Sequence, residues 1–215
     1  MKRAGQLLGI ANAVMAGLLA GCALTSPSQE ASASYDLGPL PRYERVNPVL
    51  AATVLLPEVT APSWLEGPGI VYRLAYDEPA RLHTYAQSRW KASASALLTQ
   101  RLRGRFAAAT QRGIVTRDDG ARADYMLRVE LEDFSQIFST PGTSQVAVRA
   151  RASVVNLQQR TLIAQRVFSF ERPAPSPDAR GAVAALADAS DELIEGLLEW
   201  TSEQLRASGA PGRKK

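Results

Sequence analysis

The sequence predicts an α+β fold: one domain with a mixed, mostly antiparallel sheet and two amphipathic helices packed on one face. Three observations lead there. Two neighbouring stretches, 124–137 and 145–156, alternate apolar and polar side chains, and a third, 162–170, follows a short turn. That period of two, with one wet face, belongs to antiparallel strands. Segments 94–109 and 179–205 instead repeat apolar residues at three- and four-residue spacing, which is the period of a helix buried on one side. The order is strands, helix, strands, helix. A one-faced sheet must cover its apolar side, and two striped helices are the natural cover.

Each element follows from local chemistry. "YDLGP" (35–39) reads as a short strand ended by Gly38 and Pro39. "AATVLLPEV" (51–59) is a nearly continuous apolar run, a strand whose edge or end is marked by Pro57. "TAPSWLEGPG" (60–69) is loop chemistry around Trp64 and Leu65. "IVYRLAYD" (70–77) is β-branched and aromatic, hence a strand, and 81–90 alternates enough for a strand or extended segment. Ser93 caps a helix running to about Ala109, with Ala94, Leu97, Leu98, Leu102 and Phe106 on its stripe and Arg101, Arg103 and Arg105 covering much of the rest. "GIVT" (113–116) is a short strand and "RDDGARA" a turn. In the meander, Tyr125, Leu127, Val129 and Leu131 share one face, and Val146, Val148, Ala150, Ala152 and Val154 point inward. A Pro-rich connector, 172–181, leads to a last helix capped by Asp178, whose stripe is Val183, Leu186, Ala187, Ser190, Ile194, Leu197, Thr201 and Leu205.

The N-terminal segment reads as an address. Cys22 is the only cysteine, so it has no disulfide partner in the chain. A buried thiol in a core helix is the plain alternative, but the flanks argue otherwise. Lys2 and Arg3 precede a short apolar stretch, Leu7 to Ala20, too short for a bilayer core that needs about 20 residues. A positive start, a short apolar region and small residues make a secretory signal. Leu19, Ala20, Gly21 and Cys22 complete a bacterial lipobox, in which the Cys is lipidated and becomes the new N-terminus. One acyl chain holds a protein to a bilayer only marginally, at ~0.8 kcal/mol per methylene, whereas two or more hold it stably. Ala23 rather than Asp after the Cys leans toward the outer membrane. The expected organisation is signal peptide 1–21, lipidated flexible tether 22–34, α+β domain 35–206 and basic tail 207–215. The tether, "ALTSPSQEASAS", is small, polar and aperiodic, with a span of about 20 Å. The folded body is thus expected at the periplasmic face of the outer membrane, the inner membrane being the second choice.

Charge carries little functional information. The formal net charge is +4, from 25 basic and 21 acidic residues. Without Lys2, Arg3 and the terminal Arg213, Lys214 and Lys215 it is −1 (20 against 21). The basic character is therefore made by the ends, and nothing favours nucleic acid. No Gly-rich phosphate loop, nucleophile elbow or zinc helix motif occurs. His83 is the only histidine, "RDDG" lacks the spaced ligands of a calcium loop, and Glu130 and Glu132 share the wet face of a strand. The expectation is a protein that is not an enzyme and holds no metal or cofactor.

The aromatics offer a contact surface. Trp64, Tyr72, Tyr76, Tyr85 and Trp90 crowd one third of the chain, as sheet-end packing or as a surface for a partner or lipid. Trp64 and Leu65 stand mid-loop among Pro57, Pro62, Gly67, Pro68 and Gly69, and are the candidate partner contact. The expectation is that both are exposed there, with a lid over the sheet end as the competing account.

Three stretches, "LPEVTAPSWL", "GIVYRLAYDEPARLHTYAQSRW" and "ALLTQRLRGRF", together with the lipobox and "YDLGP", resemble the ABC-type transport auxiliary lipoproteins, the PqiC-like group. The resemblance covers about 35 to 205. The family often has Pro after the Trp, where this chain has "KASAS", which bears on the helix start. The resemblance implies an accessory lipoprotein of an MCE-type lipid transport system, in which an ABC permease and ATPase work with an MCE-domain protein. It implies no catalytic residue. A ring or other homo-oligomer would suit docking on a symmetric MCE assembly. A structural or assembly lipoprotein of the envelope, with no transport role, is the alternative.

Overall fold

In the computed structural model, residues 32–40, 50, 52–110 and 113–209 are described. Cys22, Leu19, Ala20, Gly21 and residues 210–215 lie outside them. Among the described residues, eight strands and two helices follow in order: β1 (Ala33–Tyr35), β2 (Val54–Leu55), β3 (Gly69–Leu74), β4 (His83–Trp90), α1 (Ala94–Ala108), β5 (Ile114–Val115), β6 (Tyr125–Thr140), β7 (Thr143–Asn156), β8 (Thr161–Pro173) and α2 (Ala179–Ala207).

The strands form one mixed sheet around β6. On one side β6 pairs antiparallel with β7, and β7 with β8. On the other side its N-terminal half pairs parallel with β2 and its C-terminal half parallel with β3. β3 carries β4 antiparallel, and β1 lies parallel to β4. The long ladders are thus antiparallel as the alternation demanded. The short ladders β1–β4, β2–β5, β2–β6 and β3–β6 are parallel.

The alternation translates directly into burial. Val146, Val148, Ala150, Ala152 and Val154 on β7 are each 0 % exposed. Leu127, Val129 and Leu131 of β6 lie opposite Val154, Ala152 and Ala150. A register shift after Leu131 then restarts the inward set at Phe134. Small alanines line the inner face of β7 beneath α2, where even Gly196 has ordinary van der Waals room for a Cβ. A Cβ on Gly196 would stand 3.5–3.6 Å from the rings of Phe168 and Phe170.

Both helix starts are capped as their sequences require. The Ser93 hydroxyl accepts from the Ala96 amide at 3.2 Å, and the Asp178 carboxylate accepts from the Gly181 amide at 2.7 Å. The Asp178 carboxyl is held below the usual range by that amide and by the Ser176 hydroxyl. The Pro-rich connector folds tightly over this end: a Cβ on Gly181 would stand 2.1 Å from the Ser176 carbonyl oxygen. Only glycine fits there, although alanine is the better helix former.

Four expectations need correction. The 51–59 run is a strand only at Val54–Leu55, because Pro57 has no N–H to continue the ladder; beyond it, Thr60 makes a single parallel bridge to Glu130. The first strand lies at Ala33–Tyr35, before the expected 35–39, since Asp36 turns the chain by accepting from the Gly38 amide at 2.8 Å. Leu97 is only half-buried on α1, whereas Leu98, Leu102 and Phe106 are buried. Arg101, expected on the solvated side, is 5 % exposed. It faces α2, and the stripe periodicity carries no information about a second helix.

Candidate functional site

The Trp64 loop is built by a 3-10 turn, Ser63–Leu65, entered from extended Pro62. The Leu65 amide donates to the Pro62 carbonyl at 2.8 Å and the Glu66 amide to the Ser63 carbonyl at 3.2 Å. Three residues per turn set successive side chains about 120° apart, so neighbours cannot share a direction. Leu65 turns inward and is 3 % exposed, which corrects the expectation that it stands exposed in the loop. Trp64 is half-buried on the rim, packed against the core. The guanidinium of Arg73 on β3 sits 5.5 Å from the centre of its ring. Such a cation–π contact contributes ~0.5–1 kcal/mol and holds the indole in place.

The loop begins where it is stitched to β6. The Thr60 amide donates to the Val129 carbonyl at 3.1 Å, and the Leu131 amide donates to the Thr60 carbonyl at 2.7 Å. Trp64 therefore borders an open cavity of about 510 Å³ whose other wall is the outward face of β6 and β7, with Glu130, Glu132 and Arg151. Those charges pair with each other. Glu132 accepts from Arg149 Nε at 2.9 Å and from Arg151 Nη2 at 2.5 Å. Glu130 accepts from Arg128 Nη2 at 2.5 Å and lies 3.7 Å from Arg151. The Arg151 hydrogen bond, then that of Arg149, holds the Glu132 carboxyl below the usual range, so it stays ionised. A carboxylate fixed between two guanidiniums is a poor proton carrier and a good rim for a docked surface.

The other aromatics divide. Trp90 is 2 % exposed and packs on Phe134 with ring centres 5.8 Å apart. Tyr72 stacks on His83 at 5.0 Å and contacts Tyr85 at 4.8 Å and Phe138 at 5.8 Å. His83 thus packs between strands. The Tyr85 hydroxyl donates to Gln136 Oε1 at 2.6 Å, and Gln136 Nε2 donates to Ser144 Oγ at 2.7 Å. Burial, aided by the nearby Asp178 charge, pushes the Tyr85 phenol up to about 12. Tyr76 is 47 % exposed. "RDDG" forms a 3-10 turn, Arg117–Asp119, closed by Gly120 at φ 61°. Among the described residues no group of three or more His, Cys, Asp or Glu could hold a metal, and no helix is long and apolar enough to cross a membrane.

A second concavity, of about 680 Å³, lies on the far side of Thr60. Pro57, Glu58, Arg103, Arg117 and Asp118 help to line it. These residues come from the β2 exit, α1 and the turn after β5, so no sequence spacing links them.

A family model for the ABC-type transport auxiliary lipoprotein component matches residues 35–197. The chain belongs to that family. Two solved structures show the same fold. One, from Xanthomonas campestris and assigned to DUF330, is 20% identical, with TM-score 0.68 over 80% of this chain and 94% of that one. The other, an uncharacterized protein, is 17% identical, with TM-score 0.62 over 80% and 99%. No curated protein matches. The family is an auxiliary component of ABC-type transport, a lipoprotein of the cell envelope, and not an enzyme family.

Proposed function

We propose that this auxiliary lipoprotein serves an MCE-type ABC lipid transport system, working with an MCE-domain protein, its ABC permease and its ATPase. Family membership across 35–197 is the observation that carries the reading. Cys22 is the proposed anchor, cleaved after Gly21 and lipidated, placing the domain at the periplasmic face of the outer membrane. Metabolic labelling with a fatty acid should mark the wild type and not Cys22→Ala; an unlabelled wild type would end the anchor.

Trp64 is the proposed docking contact. Its loop is preset by Pro62 and a 3-10 turn, and its ring is fixed by Arg73. A held aromatic loses little entropy on binding, which is how hot spots are built. A homo-oligomer would repeat this contact around a symmetric partner.

Co-purification with the MCE-domain protein tests it. Trp64→Ala should weaken capture by at least about tenfold, a hot-spot effect. Half-burial should keep the stability loss to about 2–3 kcal/mol, below that of a fully buried Trp. Capture that is unchanged per folded molecule, beside a large drop in melting temperature, would make Trp64 a lid residue and withdraw the docking claim.

A further inference from the structure

We infer that one end of the sheet, the end bearing the β3–β4 turn (75–82), rests on the phospholipid bilayer, with Tyr76 and Leu82 seated among the headgroups. The inference rests on the proposed Cys22 anchor and adds the orientation of the domain upon it. Every residue of the turn is exposed. Tyr76 is 47 % exposed and Leu82 is 38 % exposed, near its two ends. The turn is nonetheless held in shape. The Ala75 amide donates to the Phe138 carbonyl at 2.9 Å, the Asp77 amide to the Leu74 carbonyl at 3.1 Å and the Arg81 amide to the Glu78 carbonyl at 3.0 Å. Glu78 and Arg81 also pair through their side chains at 3.2 Å, which leaves Asp77 as the net charge of the turn. At its base Tyr72 stacks on His83. Rings with an apolar body and a polar tip suit a membrane interface.

The entry of the chain selects the bilayer as the occupant. β1 lies parallel to β4, with Ala33 beside Ser88, and β4 begins at the turn. β1 therefore runs away from the turn, and the chain enters it from the turn's side. Ser88 lies five residues beyond His83 (83 to 88), about 17 Å along the strand. The sequence between Cys22 and β1 spans about 20 Å, so an anchored chain brings the bilayer within reach of Tyr76 and Leu82. Two side chains do not recruit a domain to a membrane unaided. The anchor supplies the effective concentration, and a weak contact then decides which end faces down.

Charge points the same way. The β6–β7 connection beside the turn, 139–144, carries no charged residue. The other end of β6 lies about 50 Å away at 3.3 Å per residue. There the loop 116–124 carries Arg117, Asp118, Asp119, Arg122 and Asp124, whose hydration a bilayer would strip at a cost. Leu162, at that far end, is 59 % exposed, more than Tyr76 or Leu82. Exposure alone would choose Leu162; chain entry and charge choose the turn. The tryptic peptide 161–166 is thus an internal control.

The test places the mature full-length protein in vesicles of phosphatidylethanolamine and phosphatidylglycerol doped with a phospholipid that carries a photoreactive diazirine in its headgroup. After irradiation, label is counted in the tryptic peptides 74–81 and 82–89 and in 161–166. At least about fivefold more label is expected at 74–89 than at 161–166, given the apolar area that Tyr76 and Leu82 expose. The double variant Tyr76→Ser, Leu82→Ser should lose most of that label while keeping its melting temperature, because both side chains are exposed. Equal label at both ends, an excess at 161–166, or label that the double variant retains overturns the orientation. Label that leaves 74–89 as the protein density in the vesicles rises assigns the patch to a second copy and overturns it too. Intact mass reads acylation of Cys22 separately. If the chain is not acylated, coupling Cys22 to a maleimide phospholipid supplies the anchor, and the labelling then judges the surface alone.

Discussion

Phe106→Ala is expected to cost about 3–5 kcal/mol of folding stability, a large share of the ~5–15 kcal/mol that domains possess. Phe106 is 0 % exposed at the end of the α1 stripe, in one core with Leu56, Leu98, Leu102 and the inner faces of β6 and β7. Removing the ring leaves a cavity that a helix tied at Ser93 and bonded across to α2 cannot collapse into. Leu97→Ala, one turn before the middle of the same helix, should cost only about 1–2 kcal/mol, because Leu97 is half-buried. Urea melts of the two variants rank them. A larger loss at Leu97 than at Phe106 would mean that α1 is rotated against the sheet.

Arg101→Ala should cost about 2–4 kcal/mol, against at most ~0.5 kcal/mol for an ordinary surface charge. The Arg101 side chain is 6 % exposed, and its Nε and Nη2 donate to both oxygens of Asp191 at 2.5 and 2.8 Å. Its Nη1 donates to the Leu37 carbonyl at 2.8 Å, so one guanidinium joins α1, α2 and the chain after β1. The lower end of the range reflects Asp191, whose side chain is 36 % exposed and regains water when orphaned. Arg105→Ala should cost less, since Glu195 is 46 % exposed. A double-mutant cycle of Arg101 and Asp191 isolates the pair from the packing of the arginine stem. A coupling near zero would show that the stem, not the ion pair, stabilises the helix contact.

The two arginine pairs show how far a one-dimensional reading extends. Arg101 and Arg105 are four apart, and so are Asp191 and Glu195. Each spacing marks one helix face, and a joint reading of the two would have suggested a two-rung ladder. A helical stripe describes each helix alone, so periodicity places these arginines in water. The burial of Leu65 is hidden from the sequence for a related reason. Loop composition identified the turn residues around it, but the 3-10 geometry that separates its direction from that of Trp64 is not written in the prolines and glycines.

The sequence by itself determined the class of the fold, the two helices with their Ser93 and Asp178 caps, and the inward set of β7. These depend on periodicity and on groups within a few residues of each other. It also carried the family, through motifs contiguous in the chain. Only the tertiary structure decided the parallel pairing of β6 with β2 and β3, the burial of Arg101 and Leu65, and the meeting of Glu58, Arg103 and Arg117 in one cleft. The physical reason is common to all three. Each depends on which surfaces lie opposite one another after the sheet has closed around its core, and residues far apart in the chain carry no shared period to announce it.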